Sequence, residues 1–71
     1  MIKTELNLSH REKQVLQLIS KEKTSFEISQ LLHISPETIK THRRNLMQKL
    51  VARNVAGMVR RGFEAGILQL S

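Results

Sequence analysis

Between Ser35 and Leu50 the sequence reads SPETIKTHRRNLMQKL, with four Lys or Arg against one Glu and a single His42 between Ile39 and Leu46. A histidine in such company raises the question of metal binding or acid–base catalysis. Thr38 and Leu46 hold the positions one turn either side of His42, and the chain has no Cys and no Asp, so no ligand set gathers around it. His10 and His33 fall on other elements, and no Ser stands at a spacing that would make a nucleophile–base pair. These residues predict no enzyme, no metal and no cofactor. What the stretch does offer is a row of cationic and hydroxyl donors, the equipment for holding a polyanion.

The whole chain points the same way. Its 71 residues carry 12 Lys+Arg against 6 Asp+Glu, a formal charge of +6, whose usual partners are nucleic acid or an anionic membrane. Membrane-surface helices want bulky aromatic anchors and single-strand binders want stacking platforms. Here the aromatics are Phe26 and Phe63 alone, which favours double-stranded DNA. No apolar run approaches the ~18 residues of a membrane span, and no signal-peptide pattern follows Met1. A cytoplasmic domain with no membrane partner is expected. A chain of this length makes one small domain, without disulfides to staple it.

Four elements must position these donors, all helical, because the apolar residues recur at helical spacing throughout. Ser9-His10-Arg11-Glu12 is a capping box that opens a helix over about His10–Ser20, with Val15, Leu16 and Ile19 on its apolar side and Leu18 beside them. Thr24-Ser25-Phe26-Glu27 is a second capping box, and Ile28, Leu31 and Leu32 are the expected buried side of a short helix ending near His33. Ser35 caps a third helix with Pro36 at its first position, running to about Leu50. Asn54 opens a fourth that runs to about Ala65 and stops at Gly66. Residues 1–8 are read as a lead-in in which Leu6 and Leu8 could cover the core, and residues 9–69 as the domain. The joint of about three residues between the second and third helices predicts a helix-turn-helix.

At about 100° per residue, Ile39, Leu46 and Leu50 of the third helix share one sector. Glu37, Lys40, Thr41, Arg44 and Gln48 cluster roughly opposite. That division lets the helix sit on its own domain while offering long donors to a major groove.

"LSHREKQVLQLISKEKTSFEISQLLHISPETIKTHRRNLMQKL", Leu8 to Leu50, resembles the LuxR/GerE-type helix-turn-helix domain of bacterial transcription regulators. The resemblance rests on Leu8-Ser9-x-Arg11-Glu12 with Val15-Leu16, on Glu27-Ile28, Leu31 and Ile34-Ser35, and on Thr38-Ile39-Lys40-x-His42 with Lys49-Leu50. It implies an all-α four-helix bundle without a wing, the third helix in the major groove and the fourth commonly mediating dimerisation. By that likeness Lys40, Thr41 and Arg44 approach bases, while Thr24, Ser25, Ser35, Thr38, His42 and Arg43 contact phosphates or position the helix. His42 has two readings that are compatible: a packed, hydrogen-bonded helix residue, and an edge donor to phosphate. Glu12 is expected to pair with a basic residue elsewhere in the fold as well as to cap.

Three departures stand out. Lys21-Glu22-Lys23 replaces the usual Gly before the second helix, Ser29 stands where a small Ala is common, and Val55 follows Asn54 where a basic or polar residue is usual. The last falls on a familiar phosphate contact.

On the fourth helix, apolar and small residues spread over about 200° of arc, wider than the ~100° that one core needs. The surplus suggests a homodimer on DNA through Val55, Met58, Val59 and Gly62. An N-terminal regulatory domain and RNA polymerase are the further partners that the resemblance allows. Only Met1 to Leu8 precede the motif, so either an excised fragment or a stand-alone regulator is expected. The sequence alone leaves two alternatives. Region 4 of a sigma factor shares the Arg-Glu, Glu-Ile and Ser-x-x-Thr-x-Lys logic, but fits His42 less well and does not need the fourth helix. A protein-binding adaptor or anti-activator that keeps the fold would be indifferent to duplex DNA.

Overall fold

The computed structural model describes residues 7–69. Within them are four helices: α1 (His10–Ser20), α2 (Ser25–Leu32), α3 (Pro36–Lys49) and α4 (Val55–Glu64). No strand occurs among the described residues. The fold is all-α, as expected, with the helix bounds within a residue or so of those read from the caps.

Each start has a local cause. The Glu12 amide donates to Ser9 Oγ at 3.0 Å while Glu12 Oε1 accepts from the Ser9 amide at 2.9 Å. The Thr24–Glu27 box repeats the pattern at 2.8 and 3.1 Å. The Thr24 backbone amide, and after it the Thr24 side chain, hold the Glu27 carboxyl below its ordinary value. Ser35 Oγ accepts from the Thr38 amide at 3.2 Å, and Asn54 Oδ1 accepts from the Gly57 amide at 2.8 Å. At each of the four helix starts an otherwise orphaned amide is thereby satisfied.

The ends are less ordinary. Every helix closes on a residue in the left-handed region: Glu22 (φ 65°), His33 (57°), Val51 (53°) and Gly66 (77°). Glu22 thus adopts a backbone conformation that glycine takes freely, in the joint where the expected glycine is missing. The closing bonds run back to the last turn, for example Ala52 N–H to the Met47 carbonyl at 2.9 Å and Ile67 N–H to the Gly62 carbonyl at 2.9 Å.

α3 is the central element. α1 and α2 both pack on it, and α4 leans chiefly on α1. Val15, Leu16, Ile28, Ile39, Leu46 and Met58 are fully buried where these faces meet. Leu8 is buried as expected, whereas Leu6 lies outside the described residues. Leu31 departs from expectation: it is exposed, and Ser29 is buried. α2 touches its neighbours on one side only, so its inward stripe is Ile28, Ser29 and half-buried Leu32. The Ser29 hydroxyl is accommodated by donating to the Phe26 carbonyl at 2.6 Å.

Beyond α4 the chain turns back at Gly66 and buries Leu68. Leu68 covers Gly62 so closely that a Cβ there would lie 2.7 Å from Leu68 Cδ1 and 3.0 Å from Leu16 Cδ2.

Candidate nucleic-acid interface

The expected division of α3 by face is present. Ile39, Leu46 and Leu50 are buried, while Glu37, Lys40, Thr41, Arg44 and Gln48 are exposed on the other side. Lys40 Nζ lies 3.4 Å from Glu37 Oε1, a solvent-facing i,i+3 pair of the kind that contributes little and yields readily to a stronger anion. Thr41 Oγ1 donates to the Glu37 carbonyl at 3.2 Å. Arg44 has no ion-pair partner among the described residues. The outer edge is therefore cationic, exposed and only weakly engaged with its own domain.

Its flanks are built from more than one helix. Arg43 Nη1 donates to Ser25 Oγ at 2.8 Å, which brings the N-terminus of α2, with Thr24 and Ser25, beside α3. One donor of the guanidinium fork is engaged and the rest stay available. At the start of α3, Ser35 Oγ and Thr38 Oγ1 lie 2.9 Å apart and share a hydrogen bond. His42 is half-buried on the other flank, on the side of Thr38. Its Nδ1 is buried and has no hydrogen-bond partner. The residue is packed, as expected, but not hydrogen-bonded through that nitrogen. All nine residues singled out on α2 and α3 thus fall on one edge or its two flanks.

Glu12 finds the basic partner expected for it, one that α1 alone could not identify: Lys49, at the end of α3, places Nζ 2.9 Å from Glu12 Oε1 and 3.0 Å from the Asn7 carbonyl. Glu12 is only 4% exposed. Burial pushes its carboxyl up, but the Lys49 hydrogen bond, the Ser9 amide and the Lys49 charge outweigh it and hold it below its ordinary value. One carboxylate thus caps α1, ties the end of α3 to it and, through Lys49, fastens the incoming chain. Among the described residues, no group of three or more His, Cys, Asp or Glu gathers as a metal would require, and no helix is long and apolar enough to cross a membrane.

The fourth helix corrects part of the expected dimer surface. Met58 and Gly62 are buried within the single chain, against the core and Leu68, and are not available to a second copy. The surplus apolar arc is partly absorbed by the chain's own returning tail. What remains outside is a strip of Val55 (37% exposed), half-buried Val59 and Phe63 (38% exposed), with Ala56 beside them. Phe63, absent from the expected surface, belongs to this exposed strip because it follows Val59 by one turn.

A short helix, a tight turn and a second helix with a cationic outer edge, carried on a four-helix frame, define a helix-turn-helix regulator. Residues 6–61 match the family of bacterial regulatory proteins, luxR family. The chain is 36% identical over 63 residues to spore germination protein GerE of Bacillus subtilis (strain 168), covering 89% of this chain and 85% of that protein. It is 37% identical over 60 residues to the uncharacterized response regulatory protein YgeK of Escherichia coli (strain K12), covering 84% of this chain and 41% of YgeK. It therefore spans less than half the length of YgeK. A solved structure of transcription factor GerE superposes with a TM-score of 0.86 at 29% identity, covering 96% of this chain and all of that one. The chain belongs to the luxR family of bacterial regulatory proteins.

Proposed function

We propose that residues 9–69 form a sequence-specific double-stranded DNA-binding domain of a bacterial transcription regulator, with α3 lying in the major groove. The observation that carries this is the two-faced α3: Ile39, Leu46 and Leu50 anchor it while Lys40, Thr41 and Arg44 stand exposed together on its outer edge. Arg44 takes a guanine edge bidentately, Lys40 a second acceptor, and the Thr41 methyl a thymine methyl. Thr24, Ser25, Ser35, Thr38, His42 and Arg43 position the helix through phosphates. Two copies associate on DNA through the Val55, Val59 and Phe63 strip. The greater length of YgeK leaves room for an N-terminal regulatory domain in proteins of this kind; RNA polymerase, in the cytoplasm, is the further partner we propose.

Selection of bound duplexes from a random pool tests the reading directly. Enrichment of a recurring half-site, in pairs at fixed spacing, is the expected result. Absence of enrichment and of any duplex binding at low salt would instead mark a protein-binding adaptor on the same fold.

A further inference from the structure

His42 is divided between two environments. It lies on the flank of α3 on the same side as Thr38 and Asn45, and the residue is half-buried. Its Nδ1 is completely buried without a partner, the one side-chain nitrogen or oxygen so placed among the described residues. Nε2, on the other edge of the ring, is not among the buried unpartnered atoms. A neutral imidazole carries one N–H and one bare acceptor nitrogen. A proton on Nδ1 would bury a donor with nothing to receive it, and orphaned N–H groups are avoided more strictly than unsatisfied acceptors. We propose that the packing of α3 fixes His42 as the Nε2–H tautomer, a neutral donor turned outward to a phosphate oxygen of the bound duplex.

The proposal rests on the DNA-binding reading and adds the form in which one flank residue acts. A donor held in one tautomer needs no internal proton shift on binding. In that form it positions the helix without adding to the counterion release that Lys and Arg produce.

Long-range proton–nitrogen spectra of the free domain, at about pH 8 and so above the ordinary imidazole range, show which nitrogen carries the proton; Nε2 is expected. Titrations of His42→Ala with the selected duplex across a salt series give the second readout. The expected loss is about tenfold for matched and mismatched duplexes alike, with the slope of log affinity against log salt unchanged. His42→Gln, whose amide nitrogen reaches the Nε2 position, restores most of the affinity. His42→Asn, whose polar atoms sit at the buried Nδ1 position, does not.

A proton found on Nδ1, or a His42→Ala slope shallower by about 0.9, the signature of a lost charge, overturns the proposal. So does a Gln variant no better than Asn. If His42→Ala proves unfolded, the wild-type spectra and the Gln–Asn pair still decide. A wild type that binds duplex no more tightly than His42→Ala overturns this proposal alone, whereas a wild type that holds no duplex overturns it together with the function.

Discussion

Arg43 and Arg44 are neighbours in sequence with different surroundings. Arg43 shares its guanidinium with Ser25 across the helix-turn-helix, while Arg44 stands exposed on the outer edge. Arg44→Ala is expected to remove about 1–3 kcal/mol of discrimination at one base pair, whereas Arg43→Ala weakens all duplexes alike. Competition titrations with matched and singly mutated duplexes separate the two, and equal losses of preference would contradict the assignment. Glu12 makes a different kind of prediction. Its carboxyl is held below the usual value of 4.5 in the fold. A depressed carboxylate contributes stability that is present above its unfolded value and lost as pH falls through its folded one. Glu12→Gln should cost about 1–2 kcal/mol near neutrality and show less acid sensitivity than wild type, as urea melts from about pH 6 to about pH 3 would record. The capping half of Glu12 was legible as Ser-x-x-Glu. Its Lys49 partner was not, because 37 residues separate the two and no local pattern spans that distance.

At the scale of the element, helix starts and helix stops differ in how openly the sequence declares them. All four caps stand in the text as Ser9, Thr24, Ser35 and Asn54, because a side-chain oxygen bonding three residues ahead is a local event. Among the stops only Gly66 is a glycine; Glu22, His33 and Val51 adopt the left-handed conformation anyway. Val51 is the most strained in kind, being β-branched with φ 53° and 72% exposed, and tertiary packing does not need its side chain. Val51→Gly should raise stability by about 1 kcal/mol, because the left-handed penalty of ~1–2 kcal/mol exceeds glycine's extra chain entropy. Denaturant titration checks it, and an unchanged midpoint would mean that the penalty is absorbed elsewhere. Gly62 has the opposite sign. Ala there improves helix propensity by ~1 kcal/mol but drives a methyl to within 2.7 Å of Leu68 Cδ1 and 3.0 Å of fully buried Leu16, overpacking that typically costs ~1–3 kcal/mol. A net loss of about 1 kcal/mol is expected in the same titration.

For the whole molecule the question is how one small basic domain could recognise a site by more than one helix. The strip of Val55, Val59 and Phe63 borders the buried face of α4 and is continuous with the core, so a second copy could extend that core at little conformational cost. Phe63→Glu should leave the melting of the isolated domain nearly unchanged, because the side chain is partly solvated already. It should abolish two-to-one complexes on a duplex with paired half-sites, as sedimentation would show. A wild type that forms only one-to-one complexes on such a duplex would remove the dimer from the proposal. Affinity of either form should fall steeply with salt, with a slope near −0.9 per phosphate neutralised.

Taken alone, the sequence determined four helices, their starts, the apolar sector of α3 and the cationic edge opposite it. Each of those depends on residues within one or two turns, where a 100° step fixes which side chains share a face. It also carried the motif spacing that resembles the LuxR/GerE family, because those residues lie in the same short elements. Tertiary structure decided what the local pattern left open. It turned Met58 and Gly62 inward and left Val55 and Phe63 outside, since a 200° apolar arc does not say which part of itself meets the core. It brought Leu68 back over Gly62, joined Lys49 to Glu12 and Arg43 to Ser25, and sealed Nδ1 of His42 without a partner. Those contacts form only when helices distant in sequence close on α3, and burial, unlike periodicity, is a property of that closure.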